Sequence, residues 1–455
     1  MDDTLALKLP IGGYAMIRQR VEQSLQRRAR RERLFHGLGV AVVATSMLMV
    51  VIFFASILRT GLPAFWQSTF VVDVHFDPEV VQISAKPVIG DGETPAAFQA
   101  RFQQWQTELG FVDFSHLLLQ TIGKLVPESA EHPDDAIQLV TSGEVLALRD
   151  LVAADPGIIG KTLRLELLAD ANVDVWLKGN VDRSLPDAQQ QLSPRVRQWA
   201  DRLQADGVIQ NKFSTALFMN TDSRSSLASA GMAGAMMGSM FMMIIVNLLS
   251  MPVGVPAAVY LEEFAPKNRF TDSIEVNINN LAAVPSIIFG LFGAVVFILW
   301  FKLPTSSPLV GGLVLTLMTL PTVIIATRAA LKAVPPSIRE AALGVGASKM
   351  QTLTDHVVPL AMPGILTAMI LGVAQALGET GPLLLIGMSG LVASVPQTPL
   401  DQSAALPVLI FLWESNELRN FFEGRGSAVI IVLLAMMLVL NAVAIWLRRR
   451  LETRW

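Results

Sequence analysis

The sequence predicts an all-α polytopic membrane protein with six transmembrane helices and an α+β domain inserted between the first two. The chain has 455 residues, of which 52% are hydrophobic and 16% charged, whereas soluble domains average about 25% charged residues. Residues 59–224 carry 14 basic and 22 acidic side chains, and the other 289 residues carry 21 basic and 16 acidic ones. An acidic, water-soluble domain of net charge −8 is therefore inserted into an apolar chain of net charge +5.

Six segments are free of Asp, Glu, Lys and Arg and have about the 20 residues that a helix needs to cross a bilayer. The second is longer than one crossing requires, and Pro252 and Pro256 indicate that its helix bends or ends within it. The predicted spans are 37–58, 225–261, 276–301, 303–327, 357–378 and 426–447.

The basic residues predict the orientation of these spans, because Lys and Arg are retained on the cytoplasmic side. Eight precede the first span and four follow the last, so residues 1–36 and 448–455 are expected in the cytoplasm and residues 59–224 outside. No small-x-small cleavage site follows the first span, which is expected to be a permanent anchor. The basic residues are Lys8, Arg18, Arg20, Arg27, Arg28, Arg30, Arg31 and Arg33 before the first span, and Arg448, Arg449, Arg450 and Arg454 after the last.

The outer domain shows both periodicities of an α+β fold. Apolar residues alternate over 70–76 and 163–167, and the Val-Asp-Val-Trp stretch at 173–176 also fits a strand. Thr94 and Pro95 suit the N-cap and first position of a helix, and 196–203 repeats apolar residues at helical spacing.

Several chemistries are disfavoured by composition. There are no cysteines, and the five histidines never recur at H-x-x-x-H spacing, so no cofactor or metal is expected. The sequence has no stripe of basic residues of the kind that would indicate a nucleic-acid partner. Residues 155–162 read D-P-G-I-I-G-K-T, but Asp155 replaces the first glycine of a phosphate loop, so a turn is favoured. His75, beside Asp73 and Asp77, is better explained as a solvated strand edge than as a weak metal site.

A basic loop follows the fourth span. Ser337 and Glu340 fit an S-x-x-E capping box, Gly344 and Gly346 should end the helix that it starts, and a second helix can start near Ser348. Pro359 and Pro363 are expected to close this segment before the fifth span. The loop is therefore predicted to be a helical hairpin in the cytoplasm.

This loop resembles the EAA loop of binding-protein-dependent ABC importer permeases, through Glu340-Ala341-Ala342, three residues and then Gly346. His356 and Val358 depart from the usual apolar tail of the motif. The resemblance implies a coupling helix that seats in an ATPase subunit. Small Ala341 and Ala342 would allow close approach, Gly346 a tight turn, and Arg339 and Glu340 polar contacts at the rim.

Further motifs in the same order resemble the PstA family of phosphate-importer permeases across residues 225–447. They lie at 260–263, 283–291, 331–335 and 377–384. The outer domain resembles the extra N-terminal domain of a subgroup of that family. The resemblance implies the type I ABC importer fold and import of inorganic phosphate across the bacterial inner membrane by alternating access.

The implied partners are a PstC-like second permease, two PstB-like ATPase subunits, a PstS-like extracytoplasmic binding protein and membrane lipid. No phosphate loop occurs on the cytoplasmic side, so the chain itself is not expected to hydrolyse ATP. The outer domain is a candidate dock for the binding protein or the second permease.

Polar residues within the spans are candidates for the translocation pathway. An ionisable side chain within a span is energetically costly. Glu379 is therefore either a pathway residue or a helix-end group that reaches interfacial water. Gln375 stands where the family commonly carries arginine, which places the anion-attracting charge in the partner permease. For the threonines and Asn247, hydrogen bonding between helices is an equal alternative. The candidates are Asn247, Thr316, Thr319, Gln375, Glu379 and Thr380.

Two other functions remain open on the sequence. A related oxyanion such as molybdate, tungstate or sulfate is the nearest alternative cargo. A membrane sensor that receives its signal through residues 59–224 is the alternative from another class, although the cytoplasmic segments are too short for a kinase or cyclase domain.

Overall fold

The computed structural model describes residues 11–90, 93–223, 226–389, 392 and 394–451. Ser225, with which the second predicted span begins, and the basic residues Lys8, Arg224 and Arg454 lie outside these ranges. The chain divides into two units, Met1–Arg59 and Thr60–Trp455. The first consists of most of helix α1, Ile11–Gly61, whose apolar part is long enough to cross a membrane.

A three-stranded antiparallel sheet organises the region before the second span. The strands are β1 (Trp66–His75), β2 (Thr162–Leu168) and β3 (Ile209–Phe213), in the order β2-β1-β3. Val72 pairs with Leu165, and Phe70 with Ile209. Because side chains alternate along a strand, Phe70, Val72 and Val74 all point into the core.

In the described residues between 66 and 223, seven helices and four short 3₁₀ turns accompany this sheet. The helices are α2 (Pro95–Gly110), α3 (Phe114–Leu125), α4 (Pro133–Ala136), α5 (Ser142–Ala154), α6 (Ala171–Leu177), α7 (Pro194–Ala205) and α8 (Thr215–Met219). The 3₁₀ turns are Pro127–Glu131, Ile137–Leu139, Pro156–Ile158 and Asp187–Gln189, and a fifth, Leu62–Phe65, precedes β1.

Most local predictions for this region are confirmed, and one is wrong. The Thr94 side chain caps α2, and Pro95 occupies its first turn. The 155–162 segment is a turn, in which Asp155 accepts a hydrogen bond from the Gly157 amide. The stretch 173–176 is helical rather than a strand, because the Asp170 side chain caps a helix start by accepting from Asn172 N.

The membrane part contains the remaining helices. They are α9 (Ala233–Val259), α10 (Arg269–Ala282), α11 (Ser286–Gly293), α12 (Pro308–Lys332), α13 (Pro336–Gly344), α14 (Lys349–Gln351), α15 (Val358–Leu377), α16 (Gly381–Leu385), α17 (Leu406–Glu414) and α18 (Arg419–Leu451). Wider π-helical turns occupy Tyr260–Phe264, Ala294–Trp300 and Thr352–Val357.

Within the described residues, five helices are long and apolar enough to cross a membrane, and six if one bent pair counts as a span. The fold is therefore that of a mainly helical, multi-pass membrane protein with an inserted α+β region. The bent pair joins Arg269–Ala282 and Ser286–Trp300 at 100°. The segment predicted as a span at 276–301 is thus bent within its length, because a residue before proline avoids the helical region and the chain turns at Val284-Pro285.

Two further prolines do not stop their helix as expected. Lys349–Leu377 is one continuous helical segment that contains Pro359 and Pro363. A proline removes one amide donor and crowds the carbonyl of the preceding turn. The π-helical turn Thr352–Val357 lies at that place and widens the helix. Helix α9 likewise continues through Pro252 and Pro256 to Val259, so it does not end at either proline.

Helix α12 lies at the centre of the bundle, and 61% of its most apolar stretch is buried. A Cβ added at Gly312 would lie 2.7 Å from Ile245 Cβ, so glycine lets α12 approach α9 closely. The connection after α16 also enters the bundle, since Ser403 Oγ donates to Gly234 O at 3.0 Å and Ser239 Oγ accepts from Leu406 N at 2.9 Å.

Candidate functional site

A break between two helices carries the acidic candidate of the membrane region. Helix α15 ends at Leu377 and α16 begins at Gly381, so Glu379 lies in a non-helical link. The Glu379 side chain is half-buried. In the described part of the chain, its carboxylate has no hydrogen-bond or ion-pair partner. The break therefore presents an unpaired acidic group within the bundle.

Helix α11 holds this break in place. A Cβ added at Gly290 would lie 2.6 Å from Pro382 Cα and 2.8 Å from Pro382 O, which is closer than any side chain can approach. Gly290 and Pro382 belong to two separate sequence motifs, 283–291 and 377–384. The 100° bend before α11 brings these motifs into contact. This contact does not follow from either motif alone, although both motifs contain glycine and proline.

The other candidates of the fifth span lie near Glu379. Gln375 is exposed near the end of α15, and Thr380 is half-buried at the start of α16, where its side chain makes no cap. The exposed amide of Gln375 is thus available to a neighbouring molecule.

The three remaining pathway candidates bond their own helices. Asn247 Nδ2 donates to Met243 O at 2.8 Å, Thr316 Oγ1 to Gly312 O at 2.6 Å, and Thr319 Oγ1 to Thr316 O at 3.1 Å. Both threonines are buried. These are the local bonds by which polar groups are satisfied within apolar helices.

The predicted helical hairpin forms, but the cap predicted for its first helix is wrong. Helix α13 begins at Pro336 with Pro335 at the N-cap and no side-chain cap. Since proline is favoured at the first helical position, Ser337 falls inside the first turn instead of at its edge. The observed capping box is formed by Ser348 and Gln351, at the start of the second helix.

The hairpin residues divide into an exposed set and a buried set. Glu340 and Ala341 are exposed, whereas Ala342 is buried. Gly346 makes the turn with φ of 92°, a backbone conformation that favours glycine. Exposed apolar side chains at Val345 and Met350 were missed by the sequence analysis. Together they give the hairpin an apolar tip.

Arg339 faces inward and fixes the hairpin to two spans. Its Nη2 donates to Glu263 Oε1 at 2.8 Å and to Leu331 O at 2.9 Å, and its Nη1 donates to Val334 O at 2.7 Å. Leu331 and Val334 lie at the end of α12, where free carbonyls attract a cation. The guanidinium therefore makes these contacts within the chain itself, whereas the sequence predicts polar contacts of Arg339 at the rim of the coupling helix.

A second ion-pair cluster joins three elements at the same end of the bundle. Arg328 Nη2 lies 2.7 Å from Glu275 Oε1, and its Nε lies 3.1 Å from Glu262 Oε2. Lys332 Nζ is 3.5 Å from the same Glu262 oxygen. α12 is thereby tied to α10 and to the turn after α9. The Tyr-Leu-Glu-Glu motif at 260–263 was the sequence signal for both clusters.

Arg425 is a buried charge where the sheet region meets the membrane helices. It is 2% exposed. Its Nη2 donates to Gln67 Oε1 at 2.9 Å and to Ala228 O at 2.7 Å, and its Nη1 donates to Ala230 O and, at 3.4 Å, to Leu227 O. Its guanidinium carbon also lies 4.5 Å from the Phe421 ring centroid. One side chain thus connects α18, β1 and the segment before α9.

Gln67 and Trp413 strengthen this junction. Gln67 Nε2 donates to Ala228 O at 2.8 Å, and Ser214 Oγ donates to Gln67 Oε1 at 2.9 Å. Trp413 Nε1 donates to Asp222 Oδ1 at 3.0 Å, which ties α17 to the same segment before α9. In the sequence, Arg425 is one of several charged residues just before an apolar run, a position that does not reveal its burial.

Comparison with known proteins gives two family matches. Residues 250–455 match the binding-protein-dependent transport system inner membrane component family. Residues 22–187 match a domain of unknown function, DUF3333.

Individual relatives cover about half of this chain. A probable ABC transporter permease protein of Bacillus subtilis, YqgI, is 29% identical over 262 residues, 53% of this chain and 85% of that protein. The phosphate transport system permease protein PstA of Yersinia pestis is 32% identical over 227 residues, 50% of this chain and 75% of that protein. A solved chain of the MetNI methionine ABC transporter is 16% identical, with 49% of this chain and 95% of that chain covered and a TM-score of 0.38.

Proposed function

The chain belongs to the family of binding-protein-dependent transport system inner membrane components, and we propose that it is a permease subunit of an ATP-driven importer of inorganic phosphate. The observation that carries the cargo is the 32% identity to the phosphate permease PstA of Yersinia pestis over 75% of that protein. Alternating access of the membrane helices would move phosphate into the cytoplasm.

The proposed division of labour follows from the family. Two PstB-like ATPase subunits hydrolyse ATP, a PstS-like binding protein delivers phosphate, and a PstC-like permease completes the channel. The chain lies in the bacterial inner membrane with both termini in the cytoplasm. Residues 59–224 form the periplasmic domain, 225–447 the permease domain, and 335–363 the coupling loop.

We assign ATPase coupling to the exposed part of the hairpin. Glu340 and Ala341 are exposed, and the Val345 and Met350 side chains give the tip an apolar surface. Ala342 and Arg339 would support this exposed surface from the inner side of the hairpin. Ala342 packs inside the hairpin, and the ion pair of Arg339 with Glu263 transmits movement of the hairpin to the end of α9.

We assign the pathway to the break at Glu379. Its unpaired carboxylate and the exposed Gln375 amide are the candidates best placed to meet another molecule. A carboxylate repels a phosphate anion, so Glu379 suits a partner's basic side chain better than the cargo. Thr380 lies in the same break, while Asn247, Thr316 and Thr319 would shape the helices around it.

Copurification from native membranes tests the proposal. The tagged chain should recover an ATPase subunit, a second permease and a phosphate-binding protein. In the variant Ala341→Arg, the bulky charge on an exposed position should remove the ATPase subunit and leave the second permease bound. Ala333→Arg, exposed just before the hairpin, is the matched control.

Two results would count against this assignment. Recovery of the chain without any ATPase subunit would contradict the importer and favour a sensor. Full retention of the ATPase by Ala341→Arg would leave the importer standing and refute the coupling loop.

A further inference from the structure

An exposed aromatic strip lies where the sheet region meets the membrane helices. It consists of Phe65, Trp66, Phe213 and Phe218. Phe65 stacks on Phe218 at a centroid distance of 5.7 Å, Phe218 stacks on Phe213 at 5.6 Å, and Phe213 meets Trp66 edge-on at 6.0 Å. Two of the four rings remain open to the outside, since Trp66 is 43% and Phe213 is 52% exposed.

Exposed aliphatic side chains flank the strip. Leu62 precedes Phe65 in the same 3₁₀ turn, and Met219 ends α8, the helix that contains Phe218. Both are exposed, Met219 to 74%. Exposed apolar side chains clustered in this way mark a surface that contacts a membrane or another protein.

The level of the strip along α18 is fixed by packing. A Cβ added at Gly61 would lie 2.8 Å from Ile431 Cδ1, and one at Gly424 would lie 3.6 Å from Ala64 Cβ. Residues 426–447 of α18 carry no charge, whereas Arg419, Glu423 and Arg425 precede them. The turn that leads into the strip therefore lies beside the point where α18 becomes apolar.

Helix α9 gives the same level independently. Met232 N donates to Leu217 O at 2.8 Å, and Ala233 N donates to Asn220 O at 3.0 Å. Helix α8, with Phe218 and Met219, is thus seated on the first residues of a span. Two different spans place the strip at their apolar boundary.

We propose that the aromatic strip lies in the headgroup region of the outer leaflet and anchors the inserted domain to the lipid surface. Tryptophan is enriched at this depth because its ring combines an apolar body with a polar N–H group, and the three phenylalanine rings beside Trp66 extend the apolar surface. The continuity of the strip with the apolar boundaries of α9 and α18 selects lipid over a soluble partner. The inserted domain would then rest on the bilayer surface. The buried junction at Arg425 would lie just outside the apolar layer of the membrane.

Site-directed spin labelling can test this, because the chain has no native cysteine. Phe213→Cys and Met219→Cys are labelled in the full-length chain, in phosphatidylethanolamine–phosphatidylglycerol nanodiscs. Collision rates with oxygen, which partitions into lipid, and with a water-soluble nickel chelate are then measured. Phe111→Cys is the matched control, since Phe111 is an 85% exposed ring outside the strip. Met219 is the safer site, because its side chain is largely free of packing.

We expect an oxygen-to-nickel ratio several-fold higher at 213 and 219 than at 111, unchanged when the complete transporter is assembled. A ratio equal to that at 111 would show that the strip faces water and overturn the proposal. Loss of collisions with both reagents upon assembly would also overturn it, by showing that a partner protein covers the strip.

Discussion

At the scale of single residues, Arg425 does the most to join the parts of the second unit. Its guanidinium donates to three backbone carbonyls and to Gln67, and the residue is only 2% exposed. A fork of several N–H donors suits such a cluster of acceptors, whereas a lysine ammonium would reach fewer of them.

Arg425→Ala should therefore destabilise the junction. The carbonyl of Ala230 would lose its donor from Arg425, at about 1–3 kcal/mol for an unsatisfied buried group, and Ala228 O would keep only its bond from Gln67 Nε2. A clearly lower melting temperature in detergent is expected, with partial recovery in Arg425→Lys. Arg419→Ala is the control, because Arg419 is exposed at the start of the same helix. Equal melting of the Arg425→Ala and Arg419→Ala variants would contradict this account of the junction.

Glu144 gives the inserted domain a pH-dependent stability. Burial raises the pKa of its carboxyl, and a hydrogen bond from Leu168 N at 3.0 Å partly offsets the rise. Because the folded state holds this proton more tightly than the unfolded chain does, stability should fall as pH rises from the ordinary glutamate pKa through the raised one.

Glu144→Gln removes this titration and keeps the acceptor for Leu168 N. We expect the variant to melt at a higher temperature than the parent at neutral pH, with the difference shrinking as the pH is lowered below the ordinary glutamate pKa. Thermal melting of the full chain between pH 4 and pH 8 measures it. A difference that does not change with pH would contradict the raised pKa.

At the scale of elements, the sequence predicts what depends on long runs and local caps. The apolar runs locate the spans, and Thr94 with Pro95 locates the start of α2. Where two local signals compete, the cap outweighs the alternation of apolar residues. Alternation at 173–176 suggested a strand, but Asp170 caps a helix there, and buried Asp174 then accepts a hydrogen bond from Ser68 N at 2.7 Å.

The bend before α11 shows what hydropathy alone misses. A run of apolar residues is compatible with a straight or a broken helix, and only Pro285 within it marks the 100° turn. Contacts between distant motifs, such as Gly290 with Pro382, cannot be predicted from either motif alone. The candidate residues could therefore be named from sequence, but their partners, such as Glu263 for Arg339, required the fold.

Gly290→Ala tests whether the α11–α16 contact positions the break at Glu379. The new methyl would meet Pro382 backbone atoms at 2.6–2.8 Å, so α16 must move, at about 1–3 kcal/mol for overpacking. Phosphate uptake should fall several-fold while the ATPase still copurifies. Gly123→Ala, where no atom lies within 4 Å of the added methyl, should leave uptake unchanged. Normal uptake by Gly290→Ala would refute a positioning role.

At the scale of the whole molecule, the charges of the chain follow its architecture. Acidic residues are concentrated in the inserted region, while the described membrane part pairs its charges at one end of the bundle, through Arg328 with Glu262 and Glu275 and through Arg339 with Glu263. These ion pairs join the hairpin, α10 and α12 to the turn after α9 or to one another. Gly290 and Pro382 connect α11 to the break at Glu379 by packing instead.

The central claim is that this chain forms part of an ATP-driven phosphate importer. Its most direct test is uptake of radiolabelled phosphate into proteoliposomes that contain the chain with its copurified permease, ATPase subunits and binding protein. We predict phosphate accumulation that requires ATP on the side of the membrane that the ATPase subunits face. Excess molybdate, tungstate or sulfate should not abolish it. The claim would be contradicted if no ATP-dependent accumulation of phosphate occurred, or if one of those oxyanions were transported in its place.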